Sequence, residues 1–266
     1  MLVLGPQAGT GGARMITAVY TLTILALAGC VLATGCAVAG RMRACAILFA
    51  AAWCAALGLF AADWALAQAP PFGNMRHVLA FFPLVMAPAA LYLRRFRGLP
   101  LDGWLAGASA IALTGALCMP LQAAWRQMPA LQSPWFAPHV TAYVISYGLM
   151  TVAALLALAS CAGHTDGRMR AADAVARLAF PFMTFGLWSG AIWADAAWGR
   201  YWAWDIKEAW ALITWAVYLV YFHLYNRPAY AGWRRPLLIA GFAAVVVTFL
   251  VVNLLPNLNS LHSYAG

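Results

Sequence analysis

The chain is dominated by long apolar runs separated by short polar segments that contain arginine. Hydrophobic residues make up 65% of the 266 residues and charged residues only 9%, whereas soluble domains have about 25% charged residues. A membrane-spanning helix needs about 20 apolar residues, so the runs predict about eight spans. We place them at residues 16–40, 44–66, 77–93, 104–120, 139–161, 178–194, 207–225 and 236–255. The pattern predicts an all-α, polytopic transmembrane helical bundle in a lipid bilayer.

The distribution of basic residues predicts the orientation of these spans. Of the sixteen Lys and Arg residues, eleven follow spans one, three, five and seven, and the other five lie on the opposite side. Positive charge collects on the cytoplasmic side of membrane proteins, so both termini are expected on the outer side. The net charge of +9 is therefore a feature of topology. No basic patch interleaved with aromatic residues is present, and no nucleic-acid partner is expected.

The domain organisation predicted from this pattern is simple. Residues 1–15 are rich in Gly and weakly polar, which is typical of a disordered N-terminal tail, and Met15 is an alternative start. Residues 16–266 show no internal repeat and no second soluble segment. We predict a single transmembrane domain over this range.

One segment departs from the apolar pattern, between the sixth and seventh predicted spans. Residues 198–215 hold five of the thirteen tryptophans, the only lysine and the acidic residues Asp205 and Glu208. The topology places this segment, which we call the Trp-rich segment (195–215), at the outer membrane surface. Acidic side chains suit the start of a helix, so Asp205 and Glu208 are expected to cap span seven. The tryptophans predict an aromatic platform for a flat, amphipathic ligand.

Two histidines are expected on the same side of the membrane as this platform. His139 opens span five and His262 lies in the C-terminal tail. Two imidazoles can hold haem iron from opposite faces, and Arg200 and Lys207 could meet the propionates. The residues alone leave an alternative open, in which His139 caps a helix and His262 is solvated.

The other three histidines are expected elsewhere. His223 lies about 22 Å along span seven from Glu208 at 1.5 Å per residue, so it cannot share the iron of an outer site. It is either a structural histidine or the mark of a second, deeper site, which would need a partner chain. His77 is expected at the membrane interface and His164 in a cytoplasmic loop.

Several motifs together resemble a known family. The pattern Trp198-Gly-x-Tyr-Trp-x-Trp-Asp-x-Lys-Glu-x-Trp-x-Leu-Ile-Thr-Trp215 resembles the tryptophan-rich WWD signature of cytochrome c assembly proteins, of the CcsA (ResC) type of system II. Further matches are Leu131-Gln-Ser-x-Trp135, Tyr221-Phe-His223 and Leu261-His-Ser-Tyr264. The stretch before His77 departs from the family, because Arg76-His77 stands where a Tyr-Glu pair is usual.

The resemblance implies a haem-handling protein of the bacterial inner membrane with an active periplasmic face. By this resemblance, His139 and His262 match the outer axial ligands of haem b, which is bound as substrate. His223 matches a deeper haem ligand whose counterpart comes from a CcsB (ResB)-like subunit. The residues that match the aromatic platform are Trp198, Trp202, Trp204 and Asp205.

Three functions follow from these observations. The first is a CcsA-like subunit of a cytochrome c synthase, which presents haem for thioether attachment to the CxxCH motif of apocytochrome c. The alternative is a haem transporter or chaperone that moves haem across the membrane without catalysing attachment. The third is a structural membrane protein related to HemX-type regulators, without a haem site.

Overall fold

The computed structural model describes residues 10–121, 129–162 and 165–252. This part of the chain contains eight α-helices and no β-strand, which confirms the predicted all-helical class. The helices are α1 (Thr10–Val38), α2 (Met42–Ala67), α3 (Met75–Arg97), α4 (Asp102–Cys118), α5 (Phe136–Ala159), α6 (Thr165–Trp198), α7 (Ile206–Leu224) and α8 (Arg234–Val246). A π-helical turn at Val247–Val251 continues α8.

Six of the helical segments in the described ranges are long and apolar enough to cross a membrane. They contain α1, α2, α3, α5, α6 and α8. Helix α4 has only 17 residues, and α7 begins with the charged pair Lys207 and Glu208. The chain is therefore a polytopic helical membrane protein, while the count of eight spans and the side of the termini stay predictions.

The predicted spans coincide with the helices, but two boundaries need correction. Helix α1 begins at Thr10, so residues 10–15 of the predicted disordered tail are helical, and residues 1–9 lie outside the described ranges. Helix α6 begins at Thr165, well before the predicted 178. Its first three turns contain three alanines, two arginines and Met169, which favour helix, but the stretch is not apolar enough to count as a span.

Helix contacts divide the chain into two compact units, Met1–Leu131 and Gln132–Gly266; the single domain proposed for residues 16–266 stays a prediction. In the first unit α1 packs against α2 and α4, and α3 packs against α4. The buried ion pair between Arg76 and Asp63, at 3.3 Å, joins α3 to α2. Near the other end of α3, Arg94 pairs with Asp102 at the start of α4.

The second unit contains α5 to α8, and α5 and α6 form its most extensive helix contact. Polar bonds join the other helices. Thr214 of α7 lies 3.1 Å from Thr248 in the π-helical turn, oxygen to oxygen. The buried carboxylate of Asp173 on α6 accepts hydrogen bonds from Tyr221 of α7 and from Arg234 of α8. These bonds satisfy polar groups that would be costly if left unpaired inside a membrane protein.

Candidate functional site

His139 lies in the first turns of α5, where the chain enters the second unit. The helix begins at Phe136 after Trp135, and Pro138 is tolerated there because the first-turn amides have no helical acceptor. The backbone amide of His139 donates to the carbonyl of Trp135 at 3.1 Å. The residue at the N-cap is Trp135, so the alternative in which His139 caps the helix is wrong.

The imidazole of His139 lies on a groove of α6 formed by two glycines. Its Nδ1 atom is 2.9 Å from the carbonyl oxygen of Gly186. A Cβ atom added at Gly190 would lie 2.5 Å from Cε1 and 2.6 Å from Nδ1 of the ring, closer than any van der Waals contact allows. The neighbouring ring of Tyr143 lies over Gly186, whose added Cβ would meet it at 3.1 Å. The spacing of Gly186 and Gly190 is that of a close helix–helix contact.

The bond to Gly186 determines the tautomer of His139. A carbonyl oxygen can only accept a hydrogen bond, so Nδ1 carries the proton in the neutral ring. The lone pair is then on Nε2, the atom suited to bind a metal. Metal-ligating histidines commonly donate their other ring N–H to a backbone carbonyl in this way. The side chain is half-buried.

An aromatic cluster surrounds the ring of His139. The indole of Trp193 stacks on it with centroids 5.4 Å apart and an interplanar angle of 24°. Phe136 and Trp198 contact Trp193 in turn, at 5.3 and 4.9 Å between centroids. Tyr143 meets the imidazole edge-on at 5.0 Å. These contacts immobilise the imidazole, because Trp193 is buried with only 1% of its surface exposed.

The Trp-rich segment forms the end of α6, a loop and the start of α7. Helix α6 extends to Trp198 and ends at Gly199, which has φ 72° and donates its amide to Asp195 at 2.8 Å. A residue with positive φ after the last turn is a common helix stop. Residues 195–198, predicted as part of an outer loop, are therefore helical, because the Ala-rich sequence before Trp198 favours helix. Trp198 packs on Trp193 and is half-buried.

Trp204 is the strained residue of this loop. Its φ is 57°, in the left-handed region that costs a non-Gly residue roughly 1–2 kcal/mol. Its side chain is 73% exposed, so burial of the indole does not offset this cost. Trp202 lies edge-on to it, with centroids 5.9 Å apart. Strained residues that present an exposed side chain cluster at ligand sites.

Glu208 holds the backbone on both sides of Trp204. Its Oε2 atom accepts the amide of Ala203 at 2.8 Å and the amide of Asp205 at 3.2 Å. Asp205 completes a capping box at the start of α7, accepting the amide of Lys207 at 2.9 Å. This confirms that Asp205 and Glu208 cap the helix. These two hydrogen bonds to the carboxylate of Glu208 maintain the conformation of Trp204.

The loop also presents other groups that a flat, acidic ligand could use. Tyr201 is 60% exposed, and Arg200 is exposed and forms no ion pair with any carboxylate in the described ranges. The indole Nε1 of Trp202 is buried and has no hydrogen-bond acceptor among the residues that the structure describes. A buried donor without an acceptor is rare in folded proteins.

His223 lies in the last turn of α7, far from His139. Its Nδ1 is 2.9 Å from the carbonyl of Leu219, which again leaves the lone pair on Nε2. The side chain is exposed. It continues a stripe of exposed residues along α7 that includes Ile213, 45% exposed, and Val220, 47% exposed. His223 therefore faces out of the second unit and does not join the cluster around His139.

The remaining histidines are His77, His164 and His262. His262 lies outside the described residues, and so does His164. His77 is 5% exposed in the first turn of α3, where its amide donates to the side chain of Asn74 at 2.9 Å. The predicted pairing of His139 with His262 stays a prediction.

Sequence reasoning missed the residues that hold His139 in place. Gly186, Gly190 and Trp193 are spaced by four and three residues, so they share one face of α6. This spacing was readable from the sequence, but only packing against α5 reveals its use. Tyr143, four residues after His139, shares a face of α5 in the same way.

The chain matches the family model described as cytochrome C assembly protein over residues 15–259. It belongs to this family. The match covers both units and the whole Trp-rich segment, and it ends three residues before His262.

Relatives within the family are proteins named cytochrome c biogenesis protein CcsA. That of Chlamydomonas reinhardtii is 39% identical over 166 residues, covering 57% of this chain and 46% of the relative. That of Synechococcus sp. (strain CC9605) is 32% identical over 238 residues, covering 73% of this chain and 77% of the relative. The chain is thus a multi-pass membrane protein of cytochrome c biogenesis.

A solved structure shares the fold. The cytochrome c haem lyase CcmF superposes with a TM-score of 0.69 at 20% identity. The match covers 94% of this chain and 48% of CcmF, so the chain spans about half the length of that protein.

Proposed function

We propose that the chain is a CcsA-like subunit of a cytochrome c synthase, which holds haem b at the outer face of a bacterial inner membrane for attachment to apocytochrome c. The observation that carries this proposal is the geometry of His139. Its ring is fixed by Gly186, Gly190 and Trp193, and its tautomer leaves Nε2 able to bind iron. His262 is proposed as the second axial ligand from the opposite face.

Residues of the Trp-rich segment fit such a ligand. The exposed indole of Trp204 gives a flat apolar surface, and the buried Nε1 of Trp202 gives a donor that needs an acceptor. Arg200 is exposed and is proposed to pair with a propionate, since guanidinium groups bind carboxylates in a bidentate manner. Trp198 packs on Trp193 and Asp205 caps α7, and both are proposed as part of the platform for haem.

The task of these residues is positioning. The haem vinyl groups are the carbons to which the two thiols of CxxCH add: each S–H bond breaks, a C–S bond forms, and the proton goes to the other vinyl carbon. No oxidant is consumed in this addition. When the plane and one edge of haem are held in place, the thiols meet the vinyl groups in a fixed orientation. This orientation is worth several kcal/mol.

The direct test is removal of the two outer histidines one at a time. His139→Ala and His262→Ala should each lose most of the Soret absorbance of the purified protein and the maturation of c-type cytochromes. His164→Ala, in a predicted cytoplasmic loop, is the matched control. Wild-type haem content and cytochrome levels in both outer variants would overturn the assignment.

His223 is proposed to be a ligand of a second haem, shared with a CcsB (ResB)-like subunit. Its exposed position beside Ile213 and Val220 leaves it available to a neighbouring transmembrane helix. His223→Ala should lower the haem that co-purifies with the pair of subunits, while His139→Ala lowers the remainder. Equal haem in His223→Ala and wild type would contradict the deeper site.

A transporter without attachment chemistry is distinguished by its product. The chain and its partner, reconstituted with reduced haem and a CxxCH peptide, should give a peptide with thioether-linked haem. Haem transfer to the peptide without a covalent bond would favour the transporter.

A further inference from the structure

A cluster of charged and aromatic side chains lies at the end of the second unit that is remote from His139. Arg177 of α6 and Arg234 of α8 both contact the ring of Tyr225, which follows α7, with guanidinium carbons 4.0 and 4.7 Å from its centroid. The two cations are therefore separated by less than the sum of those distances. Position 177 is about 13 Å along α6 from Gly186 at 1.5 Å per residue, so this cluster and the candidate haem site are distinct.

The cluster has more positive than negative charge. Asp173 is the carboxylate in it, and it is used by Arg234 and Tyr221. Arg177 is exposed and has no carboxylate within ion-pair distance among the described residues. The Nε atoms of Arg234 and of its neighbour Arg235 are buried and find no acceptor in the described part of the chain. Two guanidinium groups held on one ring therefore retain donors for an anion.

The segment that leads into the cluster has the composition of a membrane interface. A short 3-10 helix, Pro228–Trp233, directly precedes Arg234. It exposes Tyr230 by 42% and Trp233 by 60%. Exposed Trp and Tyr side chains are enriched where the hydrocarbon meets the headgroups. The guanidinium groups of the cluster are therefore expected at the depth of lipid phosphates.

We propose that Arg177 and Arg234 bind the phosphate of an anionic phospholipid, with Tyr225 as the platform between them and Trp233 packed beside the glycerol region. Guanidinium groups bind phosphate oxygens in a bidentate manner, and basic pockets between transmembrane helices are known sites for anionic headgroups. The bound lipid joins α6, α7 and α8 at one end of the unit. The cluster lies on the face of α7 opposite to His223. Tyr221 and Tyr225 are each two residues from His223, which corresponds to a rotation of about 200° around the helix.

The test compares lipids on the purified full-length protein. The protein is exchanged into detergent micelles and titrated with phosphatidylglycerol or with phosphatidylcholine, and bound lipid is measured by native mass spectrometry. Phosphatidylglycerol should bind more tightly, and Arg177→Gln should weaken it about fivefold, the effect of one basic group at an anionic surface. Arg177→Lys keeps the charge but not the bidentate geometry, so its affinity should lie between those of wild type and Arg177→Gln, which guards against a folding defect.

The matched control is Arg97→Gln, which removes an exposed arginine at the end of α3 in the other unit. It should bind phosphatidylglycerol as wild type does. Equal binding of the two lipids, or equal loss in Arg177→Gln and Arg97→Gln, would overturn the proposal. Inorganic phosphate is the second arm of the experiment: if it competes at the concentration at which the lipid binds, the site is a free-phosphate site and the lipid assignment is wrong.

Discussion

The contact between Gly190 and His139 can be tested by adding one methyl group. In Gly190→Ala, the Cβ atom would lie 2.5 Å from Cε1 and 2.6 Å from Nδ1 of the imidazole. Carbon atoms in contact are about 3.5–4.0 Å apart, so the ring must move by about 1 Å. Such a shift takes Nδ1 out of hydrogen-bonding range of Gly186, from which it is now 2.9 Å away.

The energetic effect has two opposing parts. Overpacking of this kind costs about 1–3 kcal/mol, and loss of the bond to Gly186 costs about 1 kcal/mol more. Replacing Gly by Ala inside a helix returns about 1 kcal/mol. The net destabilisation is therefore about 1–3 kcal/mol, which a membrane protein of this size is expected to survive. The larger effect is on His139, because the tautomer and direction of Nε2 are no longer fixed.

The assay is the haem content and Soret spectrum of the purified protein beside its thermal unfolding. We expect Gly190→Ala to lose at least several-fold in haem affinity while it remains folded. Gly167→Ala is the matched control, because Gly167 lies in the same helix and an added Cβ meets nothing within 4 Å. Gly186→Ala is intermediate, since its Cβ would press on the edge of Tyr143 at 3.1 Å.

A wild-type spectrum and haem affinity in folded Gly190→Ala would refute this reasoning. It would mean that the proposed haem site does not depend on the orientation of His139 seen here. If Gly167→Ala lost haem equally, the effect would come from helix propensity and not from the contact.

Three further outcomes are expected. Glu208→Ala should lower haem content and destabilise the protein by about 1–3 kcal/mol, because the amides of Ala203 and Asp205 lose their acceptor. Glu208→Gln keeps an acceptor oxygen, so equal haem content in these two variants would contradict the role given to the two hydrogen bonds of Glu208. Trp204→Gly should raise the unfolding temperature, because it removes about 1 kcal/mol of left-handed strain, and it should lower haem affinity. A Trp204→Gly variant that is less stable yet binds haem normally would contradict this prediction. Tyr218→Phe should be neutral or stabilising in thermal unfolding, because its buried hydroxyl has no hydrogen-bond partner in the described ranges; a loss of more than about 2 kcal/mol would reveal an unseen partner.

Much of the fold was predictable because the bilayer restricts what a chain can do. Apolar runs must become helices in a membrane, so the positions of α1 to α8 follow the runs within a few residues at most ends. Helix α6 is the exception. Its first thirteen residues include Asp166, Asp173 and three arginines, and hydropathy does not count such a stretch although its helix propensity is high.

Part of the candidate site was equally local. The capping box at Asp205 and Glu208 follows from their spacing before an apolar run, and the structure confirms it. That Glu208 also accepts the amide of Ala203 was not predictable, because this second bond depends on the left-handed turn at Trp204. The sequence pattern therefore identifies Glu208 as a capping residue but does not reveal its second backbone hydrogen bond.

The orientation of His139 is the part of the site that no local pattern encodes. Its acceptor is the carbonyl of Gly186, 47 residues away, and every helical residue carries a carbonyl, so only the packing of α5 on α6 selects this one. Gly190 makes that packing possible at a cost of about 1 kcal/mol of helix stability. Helix α6 bears this cost at Gly190, and the loop that follows the helix bears left-handed strain at Trp204. Both departures bring a histidine nitrogen and an exposed indole to the same end of the unit, and the proposed binding of a flat, iron-containing ligand depends on this arrangement.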